Sequence, residues 1–121
     1  MEKQPRDLKQ RSYRYALDII QYLEELPRGY VTETLGKQLL RPTTSIGANI
    51  VEAQSASSRK DFTNFYNHAL KSADESKFWL GLLRDSGRNG SDKLSRLLGE
   101  SHELSNILAS SVLTLKGKKS F

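Results

Sequence analysis

The stretch RPTTSIGANIVEAQSASSRKDF, residues 41–62, decides the fold. Within it Ile46, Ile50, Ala53 and Ser57 recur at helical spacing, which gathers small and branched apolar groups on one face. Ser45, Asn49 and Glu52 form a polar row beside that face. Gly47 and Ala48 keep the flanks small enough for a neighbouring helix backbone to come close. Ser58, followed three residues later by Asp61, is a variant capping box just before Phe62 opens a new apolar run. The stretch therefore reads as the second half of one helix, a polar corner and the first turn of the next.

Working outward, Thr32 is the expected N-cap of a helix reaching Ser57, with Leu35, Leu39, Ile46, Ile50 and Ala53 as its core stripe. Pro42 lies inside that stripe. The periodicity keeps its phase across it, so a kink rather than a break is expected, at a cost of about 3 kcal/mol that packing must offset. The next helix spans Arg59 to Asp85 and faces Phe62, Phe65, Tyr66, Ala69, Ala73, Leu80 and Leu83 inward. Ser86-Gly87-Arg88-Asn89-Gly90 is the clearest loop. After it Ser91 caps a helix over residues 91–115 whose stripe is Leu94, Leu97, Leu98, Ser101, Leu104, Leu108, Val112 and Leu115. Upstream, a helix over residues 7–25 ends at Leu26-Pro27-Arg28-Gly29. Four amphipathic helices with short connections predict an all-α, antiparallel up-down-up-down four-helix bundle in one domain over residues 1–121.

Helix 1 carries two apolar stripes: Tyr13, Ala16, Ile20 and Leu23, and beside it Tyr15, Ile19, Tyr22 and Leu26. Together they exceed the ~100° arc that one core contact requires. Either the tyrosines sit at the core edge with hydroxyls in water, or helix 1 is buried twice, once against another subunit. On the second reading Tyr15, Ile19 and Tyr22 form an oligomer interface. Phe78 and Leu82, one turn apart on the outer face of helix 3, belong to the same expectation.

The chain has 121 residues, no cysteine, a net charge of +5 and a pI near 9.6. It offers no disulfide framework and no thiolate chemistry. No apolar run approaches the roughly 18 residues of a membrane span, and the polar N-terminus has no signal-peptide core, so a cytoplasmic protein without membrane contact is expected. The antiparallel topology sharpens the charge argument. It places the start of helix 1, the corner between helices 2 and 3, and the end of helix 4 at one end of the bundle. Those segments hold Lys3, Arg6, Lys9, Arg11, Arg14, Arg59, Lys60, Lys116, Lys118 and Lys119 against Glu2, Asp7, Glu52 and Asp61. Basic helix ends are routine solvation devices, yet a polarised excess is also the footprint of a phosphate-backbone site. Arg6, Arg11, Arg14, Arg59, Lys60, Lys116, Lys118 and Lys119 are the candidate nucleic-acid contacts. Apart from Tyr13, Phe62 and Phe121, the first two of which also serve as core, no aromatic platform is evident at this end, so backbone or shape recognition of structured RNA is expected, not base reading.

No catalytic or metal constellation emerges. A di-iron bundle needs glutamate and histidine three residues apart, twice. Here Glu52 is followed at that spacing by Ser55, Glu75 by Phe78 and Glu100 by Glu103. Glu52 and Glu75 are expected near each other between helices 2 and 3, hydrogen-bonded with Asn49 or Ser72 in preference to acid–base work. Neither a metal, nor a cofactor, nor an enzymatic activity is expected.

Leu26-Pro27, Gln38-Leu39, Arg41, Ser45-Ile46-Gly47-Ala48-Asn49-Ile50, Glu52, Ser58, Phe62, Ala69-Leu70 and Glu75 together resemble the four-helix bundle family encoded by intervening sequences in bacterial 23S rRNA genes. The chain departs from the common pattern at Pro42 and at Ala53-Gln54. The resemblance implies a homo-oligomeric, pentameric bundle without enzymatic activity that contacts structured RNA, with Ser45, Asn49, Glu52 and Glu75 as its structural motif. Lys77-Phe78-Trp79-Leu80 is similar to a related branch, the accessory subunits of diversity-generating retroelements, which implies a reverse transcriptase as an alternative partner and an adaptor role.

Overall fold

The structure, a computed structural model, describes residues 4–87 and 92–117, with side chains from Leu8 onward. It consists of four helices, α1 Gln4–Glu25, α2 Tyr30–Ala53, α3 Arg59–Asp85 and α4 Asp92–Gly117. The start of α3 is fixed by Ser58, whose extended backbone lets its hydroxyl accept the Asp61 N–H at 3.0 Å. Asp61 in turn sits in the positively polarised first turn and accepts a hydrogen bond from the Ser57 hydroxyl at 2.8 Å.

α2 departs from the sequence reading at both ends. It begins at Tyr30 behind Gly29 with no side-chain cap, so Thr32 lies inside its first turn. It ends at Ala53, because the N–H groups of Gln54, Ser55 and Ala56 bond carbonyls three residues back and tighten the chain into the corner. Ser57 is consequently exposed in the corner and not on the core face. Through Pro42, whose ring is buried, the helix is unbroken. Thr43 donates back to the Leu39 and Leu40 carbonyls and Thr44 to those of Leu40 and Arg41, which adds hydrogen bonds where proline removes a donor. Ser91, expected to cap α4, lies outside the described residues.

Contacts between helices run in opposite numerical directions. Ser12 and Leu23 of α1 face Gly47 and Gly36 of α2. Arg11, Tyr15 and Glu25 of α1 bond Glu100, Ser101 and Lys93 of α4. Arg59 and Asp74 of α3 bond Leu115 and Ser105 of α4, and Ser72 bonds Ser45 of α2. Each helix touches its two neighbours in a ring, α1–α2–α3–α4, and the core separates the diagonal pairs. Where α1 crosses α2 the backbones come close. A Cβ at Gly47 would stand 3.4 Å from that of Ser12.

The core takes Leu39, Ile46 and Ile50 from α2, Ala69, Ala73, Leu80 and Leu83 from α3, and Leu94, Leu97, Leu104 and Leu108 from α4. Each fully buried leucine or isoleucine is worth about 1.5–3 kcal/mol relative to exposure. From α1 the core takes Leu8, Tyr15, Ile19 and Tyr22. This corrects the two-stripe reading: Tyr15, Ile19 and Tyr22 are buried inside their own bundle and present no surface to a second subunit. The outward face of α1 is Tyr13, Leu17 and Ile20, with Tyr13 70% exposed.

A polar layer crosses the core at mid-height. The Tyr15 hydroxyl meets that of Ser101, with Ser76 alongside. Burial, only partly opposed by these hydrogen bonds, pushes the Tyr15 phenol up to about 12 from 10.0. The folded protein thus retains this proton at pH values where the unfolded chain has lost it, so stability is intact below pH 10 and falls as pH rises toward 12. Urea midpoints measured between pH 9 and pH 12 are expected to fall by an amount equivalent to roughly 2 kcal/mol, and Tyr15→Phe is expected to flatten that decline.

Candidate nucleic-acid interface

The start of α1, the α2–α3 corner and the end of α4 meet at one end of the bundle. The Arg59 guanidinium donates to the Leu115 carbonyl at 3.3 Å, and Leu8, Phe62 and Leu115 line one groove. Lys9, Lys60 and Lys116 are exposed at this end, and among the described residues none of them makes an ion pair. The Asp61 carboxylate is held by Ser57 and not by a cation. Of the other expected contacts, Lys118, Lys119 and the Arg6 side chain lie outside the described residues.

The opposite end is arranged differently. Arg28 pairs with Glu33 at 3.8 Å, Lys93 with Glu25 at 3.0 Å and Arg84 with Asp85 at 2.8 Å. The Arg84 guanidinium holds the Asp85 carboxyl below its ordinary value through a hydrogen bond. Three cations there are matched by acids, while Lys37 and Arg96 of the same half make no ion pair among the described residues, so pairing is more frequent at this end without being complete. Exposed pairs of this kind stabilise the fold little.

Arg11 separates from the candidate set. Its guanidinium makes a two-point bond to Glu100, at 3.0 and 2.8 Å, and a third bond to Glu103 at 2.8 Å. These hydrogen bonds, that to Glu100 foremost, raise its pKa further above the ordinary arginine value. Arg11 is a strut between α1 and α4, with its charge already answered. Arg14 stays available. It lines an open groove of about 800 Å³ between α1 and α4, together with Arg96, Asp18, Gln10 and Gln21, and among the described residues neither arginine makes an ion pair. Arg96 was no part of the expected basic end. Only the α1–α4 register brings it opposite Arg14's groove.

The motif residues hold α2 to α3. Asn49 donates from Nδ2 to the Ser45 carbonyl at 2.9 Å and to its hydroxyl at 3.0 Å, and the Ser72 hydroxyl donates to Ser45 Oγ at 3.1 Å. Glu75 accepts from the Trp79 indole at 3.0 Å and lines a small recess with Arg41, Pro42 and Ser45. Glu52 is exposed on α2, seven residues beyond Ser45 and so roughly 10 Å further along the axis. The expected proximity of Glu52 and Glu75 is therefore corrected by the helix register, and their hydrogen bonding through Asn49 or Ser72 is replaced by the Ser45-centred set. Among the described residues no three histidine, cysteine or acidic side chains converge as metal ligands. No helix of the described residues is long and apolar enough to cross a membrane.

One feature was hidden in the sequence. Phe62 and Tyr66 stack with ring centroids 4.7 Å apart and an interplanar angle of 18°. Both line the groove at the basic end. Their four-residue spacing on α3 was legible as core, and both are only half-buried, in a groove shared with Leu8 of α1 and Ile107 and Leu115 of α4.

An antiparallel-contact, all-helical bundle with a polar α2–α3 clasp and an unpaired cationic end defines the class of protein. The chain belongs to the 23S rRNA-intervening sequence protein family, which its sequence matches over residues 6–110. It is similar to a protein of unknown function from the S23 ribosomal protein family of Bacteroides thetaiotaomicron, known from a crystal structure, at 36% identity over 89% of this chain and 96% of the other, with a TM-score of 0.79. No curated protein matches the sequence.

The contrast between paired and unpaired arginines is measurable. Arg11→Ala is expected to lower thermal stability by about 1 kcal/mol, while Arg14→Ala with Arg96→Ala leaves it within about 0.5 kcal/mol. Thermal melts followed by circular dichroism separate the two outcomes.

Proposed function

We propose that this protein is a non-enzymatic, homo-oligomeric, cytoplasmic bundle that binds structured RNA through its basic end. The observation that carries this reading is the asymmetry of pairing. Among the described residues Lys9, Lys60 and Lys116 stand without acidic partners at one end and Arg59 bonds only a carbonyl, whereas at the far end Arg28, Arg84 and Lys93 are paired and Lys37 and Arg96 are not. Unpaired lysines and arginines are what release counterions from a phosphate backbone. The family's association with 23S rRNA intervening sequences, and the ribosomal-protein description of the Bacteroides relative, point to the same ligand class.

The outer surface supports self-association. Tyr13, Leu17 and Ile20 of α1 and Leu40 and Val51 of α2 are exposed beside the close α1–α2 crossing at Ser12 and Gly47. A second apolar patch, Phe78 with Leu82, lies on α3, with Phe78 59% exposed and edge-on to Trp79. Two unlike patches on one chain suit a head-to-tail contact, and a head-to-tail contact that closes is a ring. A ring of five is the arrangement we adopt. It repeats the basic end around one axis and multiplies weak phosphate contacts.

A second reading assigns the α3 patch to another protein, such as a reverse transcriptase, with the chain as adaptor. It is favoured by the Phe78–Trp79 pair, since exposed aromatic clusters anchor hetero-interfaces.

Changing Lys9, Arg59, Lys60 and Lys116 together to alanine is expected to weaken binding to a structured RNA hairpin. It is also expected to flatten the dependence of log affinity on log salt by roughly 0.7–0.9 for each phosphate no longer neutralised. A shift titration at several salt concentrations checks this, and an unchanged slope overturns the RNA reading. For the ring, Leu17→Glu with Ile20→Glu, and separately Phe78→Glu with Leu82→Glu, should each give helical monomers by light scattering and circular dichroism. Mixing the two variants should restore heterodimers but no larger species, because each retains one intact patch. If the Phe78/Leu82 variant assembles normally, that patch belongs to the adaptor reading.

A further inference from the structure

The groove at the basic end has a chemistry that phosphate contacts alone leave unused. Its volume is about 670 Å³, and its walls are Leu8, Phe62, Tyr66, Ile107 and Leu115. Asn106, Ser110, Ser111 and Thr114 supply a polar rim along one side of α4. The Phe62–Tyr66 stack presents half-buried aromatic surface to this space. The cations of the basic end are tied to the same walls. Lys9 follows Leu8, Lys116 follows Leu115, and Arg59 bonds the Leu115 carbonyl itself.

We propose that this groove is a slot for an unpaired nucleobase of the bound RNA, with the base against the Phe62–Tyr66 pair and the flanking phosphates on Lys9, Arg59 and Lys116. The inference rests on the nucleic-acid reading above and adds that single-stranded positions, not duplex, are what the basic end prefers. A flat π-face, a row of side-chain amide and hydroxyl groups, and cations at the ends of the same walls are the three elements of single-strand recognition. A second copy of the chain or an apolar peptide would use the aromatic wall but would leave the adjoining cations unanswered. Charge complementarity therefore selects an anionic chain that carries aromatic groups.

The test compares a single-stranded RNA oligonucleotide with a fully paired RNA duplex, each titrated against the wild-type protein and against Phe62→Leu with Tyr66→Leu. Leucine keeps apolar volume in the groove and removes the π-face. The variant is expected to lose roughly 5- to 150-fold in affinity for the single strand, the worth of one stacked base, with duplex binding and the salt slope unchanged. A 4-thiouridine in the single strand should also photo-cross-link within the segments 62–66 or 106–115, located by mass spectrometry of the wild-type protein, which does not depend on the variant folding. If RNA binds with a steep salt slope but the variant loses nothing and cross-links fall elsewhere, the slot is overturned and the basic end stands. Absence of salt-dependent RNA binding by the wild type sinks both. A change of oligomeric state in the variant, with RNA binding intact, assigns the groove to self-association and overturns the proposal.

Discussion

Short connections between helices of nearly equal length leave this chain no choice of direction. The helices have 22, 24, 27 and 26 residues, and the corner between α2 and α3 is closed by a single serine cap. A corner that tight permits only an antiparallel hairpin, and the contacts of α1 with α2 and of α3 with α4 run in opposite directions too. Everything else about the molecule depends on that alternation. It sends the start of α1, the end of α4 and the middle hairpin to one end, and it aligns the small residues Ser12 and Gly47 so that α1 can approach α2. It also sets the α1–α4 register in which Arg11 finds Glu100.

How much of this could be read in advance follows from what kind of interaction each feature is. The bounds of α3 were legible because a local hydrogen bond, Ser58 to Asp61, sets its start. The ends of α2 were less so, since Gly29 leaves no side-chain signal at one end and three-residue hydrogen bonds tighten the other. Helix 1 shows the limit most clearly. Its two apolar stripes are equivalent by periodicity, and the structure buries Tyr15, Ile19 and Tyr22 while exposing Tyr13, Leu17 and Ile20. The missing signal was tertiary: Gly47 needs a small residue opposite, and Ser12 lies on the Tyr15 side of the helix, not the Tyr13 side. A search for the small residue that matches the glycine would have chosen the right face.

The candidate interface repeats that lesson in electrostatic terms. Counting cations placed Arg11 with Lys60 and Lys116, but a carboxylate 89 residues away removes it from the set. Net charge cannot register such a pairing, because the sum is the same whether the charges touch or not. The useful quantity is unpaired charge at a given place: among the described residues Lys9, Lys60 and Lys116 gather unpaired at one end, whereas at the other Lys37 and Arg96 stand beside three neutralised pairs. Glu52 and Glu75 moved apart for a related reason. Both lie on the polar edges of facing helices, and only the register, fixed by Ser45 against Ser72, separates them along the axis.

A single protomer offers few such unpaired cations among its described residues, and each contact with phosphate is individually weak and salt-screened. That makes the apolar outer faces part of the same argument. The α1–α2 face and the α3 patch leave aromatic and branched groups exposed to water. If those patches join copies into a ring, the basic ends share one side, and once one contact forms the others act at high effective concentration. Cationic surface too sparse to hold RNA on one chain then becomes sufficient on several. The buried polar layer at mid-height ties α1 to α4 beneath that surface, since the Tyr15 and Ser101 hydroxyls answer one another inside the core.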